Sequence, residues 1–272
     1  DAKLRLIDSM QQAAAPGGGG EGQKKRGGNN HRAVFHPLFH NMNSKQAEKF
    51  LRTDSATQPG DVVIRPSSSD KDSLVITWMY LPGKFKHIEV QERGKLQDQG
   101  GIGTELAIRG EEEDFSDLDE IFARYVQPMN DLVSQLVAYR CYKEFRPPRE
   151  QEQEDEQEAG PAVLHMSVEA WLNQEITAIP NRIPYCICLH EQGMPGYFQL
   201  SWLRNAGHKV HTEYIAIKPE GYRLQQKFFG TPSELIHWFK QNASKATSAS
   251  GSGSGSGKAS SSSRRPSRFS SV

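Results

Sequence analysis

Cysteine is scarce: Cys141, Cys186 and Cys188 are the only three, too few and odd in number for a disulfide scaffold. No apolar run approaches the roughly 18 residues that a spanning helix needs, which argues against a membrane segment. The first residues have no apolar stretch of the kind a secretory leader carries. An excess of one charge is also missing. Lys plus Arg number 33 and Asp plus Glu 33, giving a net charge of zero, whereas a dedicated nucleic-acid binder usually shows a basic surplus. Apolar residues reach only 36% and the mean hydropathy is −0.68, so part of the chain is expected not to fold. The expectation is a soluble, intracellular protein whose 272 residues hold one large domain or two small ones.

The ends carry the polar excess. Pro16, the glycine run Gly17 to Gly20 and the basic run Lys24, Lys25, Arg26 fall in a first stretch, 1–33, expected to be a disordered tail. The last stretch, 243–272, is a Ser/Gly-rich tail with Arg264, Arg265 and Arg268, and the same is expected of it. The first ten residues alternate apolar and charged, like the end of an upstream helix, so the chain reads as a C-terminal piece of something longer. A third polar stretch, 146–161, opens on Pro147 and Pro148 and continues through Glu150, Glu152, Glu154, Asp155, Glu156 and Glu158. Like charges this dense resist compaction, which predicts an acidic linker. It separates 34–145 from 162–242, each large enough for a small core.

The first piece reads as helix, strands, helix. Asn43-Ser44 can cap a helix with Ala47, Phe50 and Leu51 on one face. Val62 to Arg65, Ser73 to Trp78 and Phe85 to Val90 are β-branched or apolar runs between turn residues, as in an antiparallel meander. A helix is expected to start at Phe115, capped by Ser116, and to be interrupted by Pro128. A further helix from Asn130 to about Lys143 would bridge the pieces, burying Leu132, Val133, Leu136 and Val137. The second piece repeats this order. A helix capped by Ser167 carries Val168, Trp171, Leu172 and Ile176, and strands follow at Tyr185–Leu189, Tyr197–Trp202 and Thr212–Ile217. Gly221–Leu224 is a further edge, and Thr231 to Phe239 is a capped terminal helix. Two rounds of one architecture indicate an internal duplication whose residues have diverged.

Motifs for catalysis or metal binding are absent. Cys186-x-Cys188 has a single intervening residue and no second pair. His36 and His40 are four apart, but Pro37 between them disfavours a helix. Gly100-Gly101-Ile102-Gly103 lacks the Lys-Ser/Thr of a nucleotide loop, and no motif marks Cys141 as a nucleophile. No enzyme activity, cofactor or metal is expected.

Gly60-Asp61-Val62-Val63-Ile64-Arg65, a serine-rich turn, and Lys86-His87 on a later strand resemble a Src-homology-2 (SH2) domain. Phe115 to Val126 is similar to that domain's second helix, and Gly221 to Leu224 with Trp238-Phe239 resembles the end of another. His36-Pro37-Leu38-Phe39-His40-Asn41, Asp117 to Glu120 and Arg124 to Met129, with Pro219 to Tyr222, narrow the resemblance to the tandem SH2 modules of the suppressor-of-Ty family of transcription elongation factors and histone chaperones. The resemblance covers about 36–242. It implies an α+β fold of two SH2-like domains: a first at 34–128, a connecting helix at 129–145, and a second, divergent domain at 162–242. It also implies a nuclear, monomeric, non-catalytic module docking on the phosphorylated linker between the RNA polymerase II body and its repetitive tail.

The chemistry of these residues suits that role. Arg65 ends an apolar strand and should point under the sheet on the side of Val63, presenting a planar fork to two phosphate oxygens. Ser67, Ser68 and Ser69 follow in a turn able to wrap the remaining oxygens, and His87 can add a donor. Alone, an Arg at a strand end is usually a solvated snorkeller and a serine cluster just a turn; the combination points to a phosphate site. Ser44, with Lys45 beside it, stands where such domains usually place a second phosphate-binding arginine, and Glu89 stands where a basic residue often flanks a phosphotyrosine ring. Both departures weaken a phosphotyrosine clamp and favour phosphothreonine or phosphoserine. The corresponding strand of the second half has no arginine, which leaves Arg204, Lys209, Lys218 and Lys240 as its candidate basic contacts. The basic runs in the tails could add weak electrostatic contact with nucleic acid, and a purely scaffolding module with a non-functional phosphate pocket is the remaining alternative.

Overall fold

A computed structural model describes residues 34–94, 103–146, 163–190 and 194–243. The first tail, the last tail but for Ala243, Gly100 to Ile102 and all of the acidic stretch but Arg146 lie outside these residues. The protein divides into two compact units, one ending at Pro232 and one starting at Ser233.

Chain order in the first unit begins with α1, Ser44–Thr53, whose N-cap is Asn43. The Asn43 side chain accepts from the Gln46 N–H and the Gln46 side chain accepts from the Asn43 N–H, a reciprocal capping box. An antiparallel sheet follows, in spatial order β1 (Val62–Pro66), β2 (Ser73–Leu81), β3 (Lys84–Arg93), β4 (Glu105–Ile108) and β5 (Asp114–Phe115). α1 covers the face that carries Val63 and Met79, packing Ala47 and Leu51 against them, with Met42, Phe50 and Phe85 around the rim. β4 and β5 escape the sequence reading because each is very short.

The next helix differs from expectation in three ways. Phe115 pairs with Leu106 in β5 and is not helical. The cap of α2 (Leu118–Ile121) is Asp117, which accepts from the Glu120 N–H at 2.7 Å, while Ser116 donates to the Glu120 carboxylate. Pro128 causes no break: a π-helical turn, Phe122–Val126, widens the helix just before it and leads directly into α3, Gln127–Val137. The wider turn relieves the clash a proline ring makes with the carbonyl four residues back. α3 stops at Val137, short of Lys143, because Cys141 and Lys143 are drawn into backbone pairing with Ile187.

The second sheet runs β8 (Tyr185–Leu189), β9 (Tyr197–Trp202), β10 (His211–Lys218), β11 (Gly221–Leu224) and β12 (Lys227–Phe229), again antiparallel. β11, expected at the edge, is internal, with β12 outside it. Between the two sheets in chain order come the two-residue strands β6 (Glu144–Phe145) and β7 (Val163–Leu164), which flank the acidic stretch and pair with each other in parallel. α4, Val168–Ala178, is capped by Ser167 and buries Val168, Leu172 and Ile176 against Cys186, Cys188 and Leu203.

The duplication is legible bond by bond. Ile64 donates to Leu38 O and accepts from His40 N, each at 2.8 Å; Ile187 donates to Cys141 O and accepts from Lys143 N, each at 2.8 Å. Ile64 and Ile187 are therefore equivalent, and with them Arg65 and Cys188.

α3 ties the two sheets together. Leu132, Val133 and Leu136 are buried along it, while Val137 is only half-buried. The Tyr222 hydroxyl donates to Leu132 O at 2.7 Å with no exposure to solvent. Tyr222→Phe is expected to lower unfolding free energy by about 1 kcal/mol, measured by urea denaturation. Gly60, at φ +107°, lies so close to Asn130 of α3 that a Cβ there would sit 2.6 Å from the Asn130 side-chain nitrogen. A glycine thus permits the close approach as well as the left-handed backbone.

The second unit holds all of α5, Pro232–Asn242, but its first residue, with Glu234 in the first turn and Lys240 in the last, each at the end where the helix dipole favours its charge.

Candidate binding site

β1 is buried along its whole length, so Arg65 lies only 5% exposed, on the α1-covered side of the sheet with Val63. A guanidinium in that position must have partners. Its Nε donates to Thr77 Oγ1 and its Nη1 to Pro66 O, both at 3.2 Å. These bonds fix the guanidinium through Nε and Nη1. Burial lowers the guanidinium's affinity for its proton, and the charge of Glu48 opposes that effect.

Thr77 joins two of the residues picked out in the sequence. Register places it opposite both Val63 of β1 and His87 of β3. Its Oγ1 lies 3.1 Å from His87 Nδ1, and His87 Nε2 lies 3.1 Å from Glu48 Oε1 and 3.2 Å from Ser44 Oγ. A carboxylate only accepts, so Nε2 carries the ring proton; with a neutral ring, Nδ1 accepts from Thr77, whose oxygen is then free to accept from Arg65. One directed chain therefore runs from Arg65 through Thr77 and His87 to Glu48. Thr77→Val, close in shape, breaks it at the centre and is expected to weaken phosphopeptide binding by about 1 kcal/mol in a fluorescence titration.

The serine turn divides its labour. Ser67 is 3% exposed and its Oγ accepts from the N–H groups of Ser69 and Asp70, each at 3.3 Å, so it holds the turn together. Ser68 and Ser69 face solvent beside it. Ser44 lines the site from the first turn of α1, while Lys45 is exposed. Glu89 is bound by Arg109, whose Nη1 lies 2.7 Å from its Oε2.

Sequence reasoning missed Thr77 and Glu48. Alternation along β2 puts Thr77 on the same face as Val75 and Met79, and Glu48 is one helical turn beyond Ser44; both signals were present, but only the strand register and the docking of α1 join them.

The equivalent position in the second half is filled. Cys188 stands in the place of Arg65 and packs with Cys186 against α4. Burial and the neighbouring thiol push the Cys186 thiol far up, so it stays protonated. Ser201 and Thr212 occupy the places of Thr77 and His87, their oxygens 3.1 Å apart. Polar neighbours thus persist where the arginine is gone. Among the basic candidates of this half, Lys209 is exposed and Arg204 half-buried. Lys218 is bound to Glu111 at 2.6 Å, and Lys240 lies on α5 in the other compact unit. No group of three or more metal-ligating side chains occurs among the described residues.

Comparison with known proteins agrees with this duplicated architecture. The family model for the SH2 domain matches residues 8–242. The chain is 36% identical over 211 residues to transcription elongation factor SPT6 of Drosophila melanogaster, aligning 78% of the chain with 10% of that protein. It is 32% identical over 216 residues to the SPT6 homolog of Arabidopsis thaliana, aligning 78% of the chain with 12% of that protein. The chain thus spans about a tenth of the length of these curated relatives. Among solved structures, a tandem SH2 domain of transcription elongation factor Spt6, one that binds the phosphorylated RNA polymerase II C-terminal repeat domain, superposes with a TM-score of 0.62 at 27% identity, covering 78% of this chain and 96% of that one. The tandem SH2 domains of Antonospora locustae Spt6 share the fold, with a TM-score of 0.55 at 17% identity over 76% of this chain and 93% of that one. Two antiparallel five-stranded sheets with their helices, the bond-for-bond repeat and the family match together establish that the chain belongs to the SH2 domain family, in tandem form.

Proposed function

We propose that this chain recruits a transcription elongation factor and histone chaperone to the phosphorylated linker of the RNA polymerase II largest subunit, reading phosphothreonine or phosphoserine in preference to phosphotyrosine. The chain is a binding module and not an enzyme, and its place is the nucleus, where transcription elongation factors act. The observation that carries the reading is the buried Arg65, its guanidinium fixed through Nε by Thr77 and through Nη1 by Pro66, on the strand that leads into the exposed Ser68 and Ser69. The preference among phosphorylated residues rests on charge. Around that fork stand a serine in place of a second arginine and the acids Glu48 and Glu89, a poor clamp for a phosphotyrosine ring and its dianion. A phosphorylated Thr or Ser, alone or with a neighbouring aromatic ring filling the space, suits it better. Two domains on one chain let an extended peptide convert its second contact into an intramolecular one.

Fluorescence anisotropy tests this with linker and repeat peptides, unphosphorylated or carrying phosphothreonine, phosphoserine or phosphotyrosine. The expected order puts the phosphothreonine and phosphoserine linker peptides first, at micromolar affinity. Equal binding with and without phosphate overturns the phosphate reading; tighter binding of the phosphotyrosine or the repeat peptide overturns the finer assignment.

A further inference from the structure

A carboxylate inside a site built for an anion needs explaining. Glu48 projects from α1 into the chain of bonds around Arg65, its Oε1 3.1 Å from His87 Nε2 and 3.3 Å from Ser44 Oγ, which donates to it. Its side chain and that of His87 are each about one-third exposed, so both stand at the mouth and not in the core. The charge of Glu48 reaches the guanidinium of Arg65. An unbonded acid on the surface of α1 would need no account, but this one is bonded to His87, the donor that lies next in line for a phosphate oxygen.

We infer that Glu48 is a specificity-determining residue that competes with the ligand's phosphoryl group for His87 and Arg65, keeping the pocket weak and selecting against a doubly charged phosphate unless the rest of the peptide also binds. This rests on the reading that Arg65 holds the phosphate. The physical argument is one of charge balance. Without a ligand, Glu48 satisfies His87 Nε2 and partly neutralises Arg65, so the buried cation is tolerated. A phosphate arriving at His87 and the Arg65 guanidinium brings up to two negative charges within a few ångströms of that carboxylate. It must push the carboxylate out into solvent or endure the repulsion, which at this solvent-facing position, with a dielectric close to that of water, is about fivefold in affinity for each charge. Of the other charges nearby, Glu89 on β3 is bound by Arg109, and Lys45 and Lys49 on α1 are exposed, where solvent screens them. Contacts along the peptide then supply the affinity the pocket withholds, which restricts binding to peptides that engage more than the phosphate.

The test titrates three fluorescein-labelled probes against the whole chain: the phosphothreonine linker peptide, its unphosphorylated form, and its methyl phosphodiester, which carries one negative charge. Proteins are the parent, Glu48→Gln, Arg65→Ala and the double variant. Gln keeps the size and hydrogen bonds of the side chain and removes only its charge. Glu48→Gln is expected to tighten the phosphothreonine peptide about tenfold and the methyl ester by less, and to leave the unphosphorylated peptide unchanged. The gain should disappear in the Arg65→Ala background. If Glu48→Gln weakens or does not alter binding of the phosphothreonine peptide while Arg65→Ala still abolishes it, Glu48 merely orients His87 and the inference fails with the phosphate reading intact. If Arg65→Ala has no effect, the phosphate reading itself falls, and this inference with it.

Discussion

Arg65→Ala should cost about 2–4 kcal/mol of binding free energy to a phosphorylated peptide, with little change for the unphosphorylated one. The size follows from what the terminal edge of the fork can do: two charge-assisted bonds to phosphate oxygens, each contributing on the order of 1.5–3 kcal/mol before ordering costs. Arg65→Lys keeps the charge but loses the fork and the Nε bond to Thr77, so it should fall between parent and alanine. Stability distinguishes a ligand-binding arginine from a structural one. Arg65 is 5% exposed, and burial works against its charge. A buried cation whose hydrogen bonds go only to neutral oxygens remains costly to the fold even with the charge of Glu48 nearby, because burial outweighs it, so Arg65→Ala should leave the thermal midpoint unchanged or raise it while binding collapses. A large drop in the thermal midpoint would instead mean that Arg65 serves the fold. Anisotropy and calorimetry on the same preparations read both quantities.

Strand positions were readable because β-branched and aromatic runs bounded by turn residues leave little choice: Tyr185–Leu189 and Tyr197–Trp202 fall where composition places them. Short strands were not, since Asp114–Phe115 has too few residues for any period to show and owes its form to its neighbour β4. Helix ends suffered from tertiary competition. Nothing local stops α3 at Val137; the pull comes from β8, 44 or more residues later in the chain, through Ile187. The site shows the same division. Arg65, the serine turn and His87 stand out as residue types in a row. The link between them, Thr77, is an ordinary strand residue until the register sets it opposite His87, and Glu48 is an ordinary helix surface acid until α1 docks. The duplication was visible as repeated element order, but the loss of the pocket in the second half could be located only once Ile64 and Ile187 were matched through their backbone bonds, which puts Cys188 where Arg65 is.

Glu111→Gln should destabilise the chain by about 2 kcal/mol at pH 7, because Glu111 is bonded to Lys218 and its charge also acts on Lys86. Glu111 Oε1 lies 2.6 Å from Lys218 Nζ and 3.0 Å from the Tyr125 hydroxyl, which donates to it. These bonds hold its carboxyl below the ordinary range against the opposing effect of burial. Lys86, from β3, reaches the same place and packs beside Gly196 and Met129. Burial and the neighbouring Lys218 bring its pKa down to about 8, with Glu111 pulling the other way. Removing the carboxylate leaves two like charges facing each other, half-buried. The pH dependence has a definite sign. Folded Lys86 gives up its proton near pH 8, unfolded Lys86 near 10.5, so between these values the unfolded chain holds more protons and stability rises with pH. Above pH 10 the trend reverses, because Tyr125 keeps its proton in the fold beyond the ordinary tyrosine value of 10.0. In Glu111→Gln the Lys86 proton should leave at still lower pH, so the deficit seen at pH 7 should shrink by pH 9. Lys86→Met offers the opposite sign: it removes the costly charge, and should be neutral or stabilising at pH 7 while flattening the rise above pH 8. Urea unfolding of the three proteins from pH 6 to pH 10 decides it. A Glu111→Gln deficit that grows with pH, or a Lys86→Met variant that loses stability at pH 7, would show that this junction is held by packing and not by its charges.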